Sequence, residues 1–217
     1  MFHSPQGSAA GRLAVCCADI GSVAKKRFGW ARRYEGRKEE GATSGTDIRK
    51  LVAGVAADLA SGLPVALGLE CPLFVPIRED PAGLTSARVG EGSRPWSAGA
   101  GAGSLATGLT QSVWILRDLR RSAPVGVPAF LDWEDFRKAG VGLFLWEAFV
   151  TSDAKGRTHA ADAEIAVNCF VARLPDIPAA NAIHETLVYS LIGAALLRTG
   201  WSTDLGLLET PCVVIKA

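Results

Sequence analysis

Apolar runs alternate with helical stripes along most of this chain. Leu13–Ile20 is apolar up to Asp19 and is followed by Gly21-Ser22, which predicts a buried strand entering a tight turn. Phe28–Tyr34 reads as its hairpin partner. Arg32-Arg33 and the polar stretch Glu35–Gly45 place that partner near a sheet edge, with a ragged third strand beyond it. Thr46 stands where it would cap a helix over Asp47–Ser61, in which Ile48, Leu51, Val52, Val55 and Leu59 recur at helical spacing before Gly62. Pro64–Leu69 is the next buried strand, and it stops at Glu70-Cys71-Pro72.

Between Ile77 and Gly103 periodicity is lost among Gly, Ser, Pro and Arg, and so long a connection predicts a lid or substrate loop. Ser104–Ser122 follows as a helix with Leu105, Leu109, Val113, Leu116 and Leu119 on one face. A short strand over Pro128–Leu131, a helical turn over Asp132–Ala139 and a strand over Val141–Val150 come next. Thr158 is placed to cap a helix over Ala160–Arg173; Glu185–Arg198 reads as a last apolar helix and Pro211–Lys216 as a terminal strand. Hairpin, helix, strand, helix, strand, helix is the order of an α/β domain with a mixed sheet and helices packed on its faces.

Composition narrows the class. Hydrophobic residues make up 48% of 217, ample for one packed core, so 12–217 is expected to be a single domain behind a loose tail at 1–11. The net charge of +1 excludes a strongly cationic molecule, yet ten Lys or Arg against five acids fall within residues 1–50. Five cysteines without regular spacing make a poor disulfide or zinc framework and point to a reducing, cytoplasmic setting. The longest apolar stretch, Leu187–Leu197, is too short for a bilayer, so no membrane partner is expected.

Four polar residues stand where apolar elements do not need them: Asp19 and Glu70 at strand ends, and His159 with Asp162 at a helix start, three apart and hence on one face. Buried carboxylates must be paired or hold a metal. Brought together, the three acids would repel one another unless a divalent cation joined them, and hard oxygen ligands suit Mg²⁺ or Mn²⁺. Glu147 is a further candidate, because it alternates in phase with Leu143, Leu145 and Phe149 toward an apolar face. Its other reading is an acid at a strand end paired with Arg157 or Lys155. The turn cluster Lys25-Lys26-Arg27 is placed to meet a phosphate backbone, and Arg88, Arg94 and Trp96 of the long loop to hold and stack a single strand.

Ala18-Asp19-Ile20-Gly21-Ser22 with Gly29-Trp30, Leu67-Gly68-Leu69-Glu70-Cys71-Pro72 and His159-Ala160-Ala161-Asp162-Ala163 resemble the three active-site segments of RuvC-type Holliday-junction resolvases. They resemble still more a family of predicted RNase H-fold nucleases. The resemblance implies an RNase H-like mixed five-stranded sheet with helices on both faces. It also implies a catalytic set of Asp19, Glu70 and Asp162 as metal ligands, Asp19 bridging two ions, with His159 where this superfamily places an acid or a histidine. The implied reaction is two-metal hydrolysis of DNA or RNA phosphodiesters, and a junction-cutting member would be a homodimer. Competing expectations are a phosphoryl-transfer protein of the actin-like ATPase branch, whose length this chain does not reach, and a non-catalytic nucleic-acid-binding protein on the same fold.

Overall fold

The computed structural model describes residues 13–36, 41–93, 95–150 and 154–217. The tail expected at 1–11 and Arg94 lie outside the described residues. A hairpin of Ala14–Asp19 (β1) and Gly29–Tyr34 (β2) is followed by Thr43–Gly45 (β3), the helix Ile48–Ala60 (α1) and the strand Val65–Glu70 (β4). Then come Phe74–Pro76 (β5), the long helix Gly99–Ser122 (α2), Ala129–Phe130 (β6), Trp133–Ala139 (α3) and Leu143–Phe149 (β7). His159–Arg173 (α4), Val188–Ser190 (β8), Leu191–Thr199 (α5) and Val214–Lys216 (β9) follow.

The main sheet runs β3-β2-β1-β4-β7-β6, with β9 also on β7, and β5 pairs β8 separately. The main sheet thus has seven strands where five are expected: the four long strands β1, β2, β4 and β7 are joined by β3, β6 and β9, each of two or three residues. β1, β2 and β3 are antiparallel, whereas β1, β4 and β7 run parallel. Strand alternation divides the core. Cys16, Leu67 and Leu145 face α1, α2 and α5, while Cys17, Ala66 and Trp146 face α3 and α4. On the second face Phe170 of α4 lies 4.7 Å from Trp146, ring centre to ring centre.

Three boundaries differ from the sequence expectation, each for a local reason. Asp47, not Thr46, caps α1, its carboxylate accepting the Arg49 N–H at 2.9 Å. α2 starts at Gly99 and buries Gly108, Ser112, Ile115, Leu116 and Leu119, leaving Leu109 44% exposed. The small face wins because Gly108 sits against Cys71, where a Cβ would come within 2.4 Å of its sulfur. α5 begins only at Leu191, capped by Ser190; the residues before it pair with β5, and Glu185 is drawn away to Arg78.

The segment expected to be a lid is tied down. Arg78 makes two 2.8 Å bonds to Glu185, and Val89 donates its N–H to the same carboxylate. Arg88 is 2% exposed, with its guanidinium 2.9 Å from Glu91 and 2.6 Å from Glu147. Glu147 also accepts the Leu73 N–H. Removing one partner of such a buried network strands the remaining charges. Arg88→Met leaves Glu91 and Glu147 uncompensated, and urea denaturation should show a loss of about 3–5 kcal/mol. An unchanged midpoint would mean that the strap is not held by this network.

Candidate metal centre

Asp19 and Glu70 are register partners on parallel β1 and β4. Both carboxylates therefore leave the same end of the sheet, on the face covered by α4. α4 begins directly beside them. Gly29, opposite Asp19 on β2, makes this approach feasible, since a Cβ there would stand 2.2 Å from the His159 carbonyl carbon and the Ala160 nitrogen. Thr158 caps the helix by accepting the Ala161 N–H at 3.1 Å, as its position in the sequence predicts.

His159 Nδ1 lies 2.5 Å from Asp19 Oδ2. Asp162 Oδ1 accepts the Gly156 N–H at 2.5 Å. The Lys155 ammonium stands 3.4 Å from Glu70 Oε1 and 3.7 Å from Asp162 Oδ2. Glu70 Oε2 is buried and has no hydrogen-bond partner among the described residues. Ligand-capable atoms of Asp19, His159 and Asp162 all lie within 4.8 Å of one another, and this group can hold a metal ion. The clustered set thus takes in His159 in place of Glu70, which faces Lys155.

Burial is the chief cause that pushes Asp19 up to about 7, with Asp162 adding to the rise and Lys155 opposing it. Glu70 is pushed up to about 8, again by burial first, then by Asp19 and Asp162 against Lys155. For Lys155 burial works against the charged form, but the three carboxylates outweigh it and hold the ammonium above its ordinary value. A cleft of about 510 Å³ opens over the centre, lined by Asp19, Glu70, Lys155 and His159 and, opposite, by Pro95 and Gly99.

The remaining candidates separate. Glu147 is the register partner of Leu69, so it faces α1, α2 and α5, away from Asp19 and Glu70. It is paired with Arg88 rather than with Lys155 or Arg157 and does not join the acid cluster. Arg88 is correspondingly consumed inside the protein instead of facing a substrate strand. Trp96 is half-buried and donates its indole N–H to the Ser86 carbonyl at 3.0 Å. Lys25, Lys26 and Arg27 are exposed on the β1–β2 turn, which Gln111 of α2 anchors through the Gly21 carbonyl at 2.6 Å. Lys155 and Gly156 carry no sequence signal for the site, since a loop position has no periodicity, although both fall within four residues of His159. Against protein-family models, curated proteins and solved structures the chain finds no match.

Gly29→Ala should push the first turn of α4 off β2 and separate His159 from Asp19. Loss of a group that supports metal ligands typically costs about 10–100-fold in affinity. Isothermal titration with Mn²⁺ should show a loss of that order while far-UV circular dichroism is unchanged; wild-type affinity would refute the packing argument.

The raised carboxyl groups set a pH dependence. From the ordinary 3.8 and 4.5 to about 7 and 8, the folded protein binds more protons at Asp19 and Glu70 than the unfolded chain. Their contribution to stability is therefore fully present below about 4 and is lost as pH rises through about 8. The melting temperature of chelator-treated protein should fall across that window, and Asp19→Asn should reduce the slope. Saturating Mn²⁺ should raise the melting temperature most at the alkaline end, where the carboxylates are ionised.

Proposed function

We propose that this protein is a metal-dependent nuclease of RNase H-like fold, hydrolysing phosphodiester bonds of DNA or RNA. The observation that carries the reading is the convergence of Asp19, Glu70, His159 and Asp162, from three separate elements, with Asp19, Glu70 and His159 lining one cleft. That cleft lies at the C-terminal ends of β1 and β4, where open α/β sheets bind their ligands. The mixed core β3-β2-β1-β4-β7 supports the finer fold assignment. So do the three segments that resemble RuvC-type resolvases, since they are the segments brought together.

The donor set fits a hard divalent ion, and Glu70 Oε2 adds an oxygen that meets no donor among the described residues. Mg²⁺ or Mn²⁺ bound there would supply an activated water and neutralise charge on the phosphate. Asp19 and Asp162 provide anionic oxygens, and the Gly156 N–H fixes the orientation of Asp162. Asp19 holds the imidazole of His159 through Nδ1. Lys25, Lys26 and Arg27, on the turn that leads out from Asp19, are suited to phosphates on either side of the scissile bond.

Purified protein should cleave DNA or RNA with Mn²⁺ or Mg²⁺ and stop on chelation. Asp19→Asn keeps the shape and removes the charge, and it should lower the rate by at least about 100-fold, beyond the usual cost of losing a supporting group. Equal rates for the two proteins, after nuclease-free purification, would overturn the reading.

A further inference from the structure

Lys155 has no role in the expected chemistry, yet its ammonium stands inside the centre. It lies 3.4 Å from Glu70 Oε1 and 3.7 Å from Asp162 Oδ2, on the opposite side of Asp162 from the Gly156 bond. These are the two acids that a second metal ion would have to bridge if the first took Asp19 and His159. Paired ions in two-metal sites sit about 3.5–4 Å apart and share a carboxylate. A second ion at Glu70 and Asp162 would therefore compete with the ammonium for the same oxygens.

We propose that Lys155 is the built-in second cation of this centre, so that the protein takes one divalent ion, at Asp19, His159 and Asp162, rather than two. The proposal rests on the metal-centre reading above and refines it. Charge supports it: Asp19, Glu70 and Asp162 together carry three negative charges when ionised, and one divalent ion with one ammonium balances them. Two divalent ions beside Lys155 would leave an excess of two positive charges before any substrate enters.

The placement of Lys155 is built in by its neighbours. Gly156 lies so close to α4 that a Cβ would come within 2.7 Å of the Ala161 side chain, and its N–H is bonded to Asp162. That contact holds the 155–156 backbone against the first turn of α4 and aims the lysine stem across the acids. A compact ammonium on a flexible stem suits the position better than a planar guanidinium with a fixed fork of donors. The side chain remains 43% exposed and lines the cleft, so the same charge is presented to an anionic substrate.

Ion counting tests this without any nucleic acid. Metal-free full-length protein is titrated with Mn²⁺, and bound ions per chain are counted by equilibrium dialysis with electron paramagnetic resonance. Wild type and Lys155→Arg should bind one ion, and Lys155→Ala should bind two. Circular dichroism verifies folding, and Lys155→Met replaces the alanine variant if that one is unfolded. Two ions in wild type would overturn the role of Lys155 while leaving the metal centre standing. No ion in wild type would overturn both readings. A single ion in every folded neutral variant would also refute it, because removing the ammonium would then have opened no second position.

Discussion

Carboxylates withdrawn from water at the ends of two adjacent parallel strands are the constraint around which this protein is arranged. Burial first, and then the mutual repulsion of the acids, pushes Asp19 and Glu70 far toward their neutral forms, and two features nearby supply positive potential against that pressure. α4 points its N-terminus at them, which adds the favourable end of its dipole. Lys155 adds a full charge. Gly29 is the condition for the first of these, because any side chain there would occupy the space taken by the start of α4. A short motif of glycine and aspartate is thus one half of a joint whose other half is the histidine helix 130 residues later in the chain.

Two buried acid groups lie near the same sheet end, and they are solved in opposite ways. Glu147 and Glu91 receive a guanidinium whose donors are spent on the two carboxylates and the Phe74 carbonyl, at 2.6–3.4 Å. That network is closed and anchors residues 88–91 to the sheet. The Asp19 group is left open: its cation stands at 3.4 and 3.7 Å, and one oxygen of Glu70 has no partner among the described residues. Since buried polar atoms are nearly always satisfied, an open acid group beside a closed one is a departure consistent with the metal centre proposed above.

Positions defined by local chemistry were legible in the sequence. β1 ends at its acid, Thr158 caps α4, and the i, i+3 spacing of His159 and Asp162 puts both on the face that meets β1, all of which follow from short-range rules. Glu147 was correctly read as turned toward an apolar face, but its partner was not visible, because Arg88 lies 59 residues away in a stretch without periodicity. The buried face of α2 is hidden from the sequence for a related reason. Leucines suggested the buried face, whereas contact distance to Cys71 selected Gly108, and only the tertiary fold reveals where a helix must come close. Lys155 belongs to the same kind: nothing in its neighbours announces that the loop folds back over Glu70.

The exit of β4 joins the two halves of this arrangement. Glu70 faces α4, Cys71 on the opposite face sits under Gly108 of α2, and Leu73 gives its N–H to Glu147. Within four residues the chain passes from the open acid group to the closed one. The orientation of Glu70 is therefore fixed from both sides of the sheet, by close packing at Cys71 and by a buried ion network at Leu73. That backbone presents the Glu70 carboxyl to the cleft, where Lys155 meets one of its oxygens and burial favours its protonated form until a cation enters.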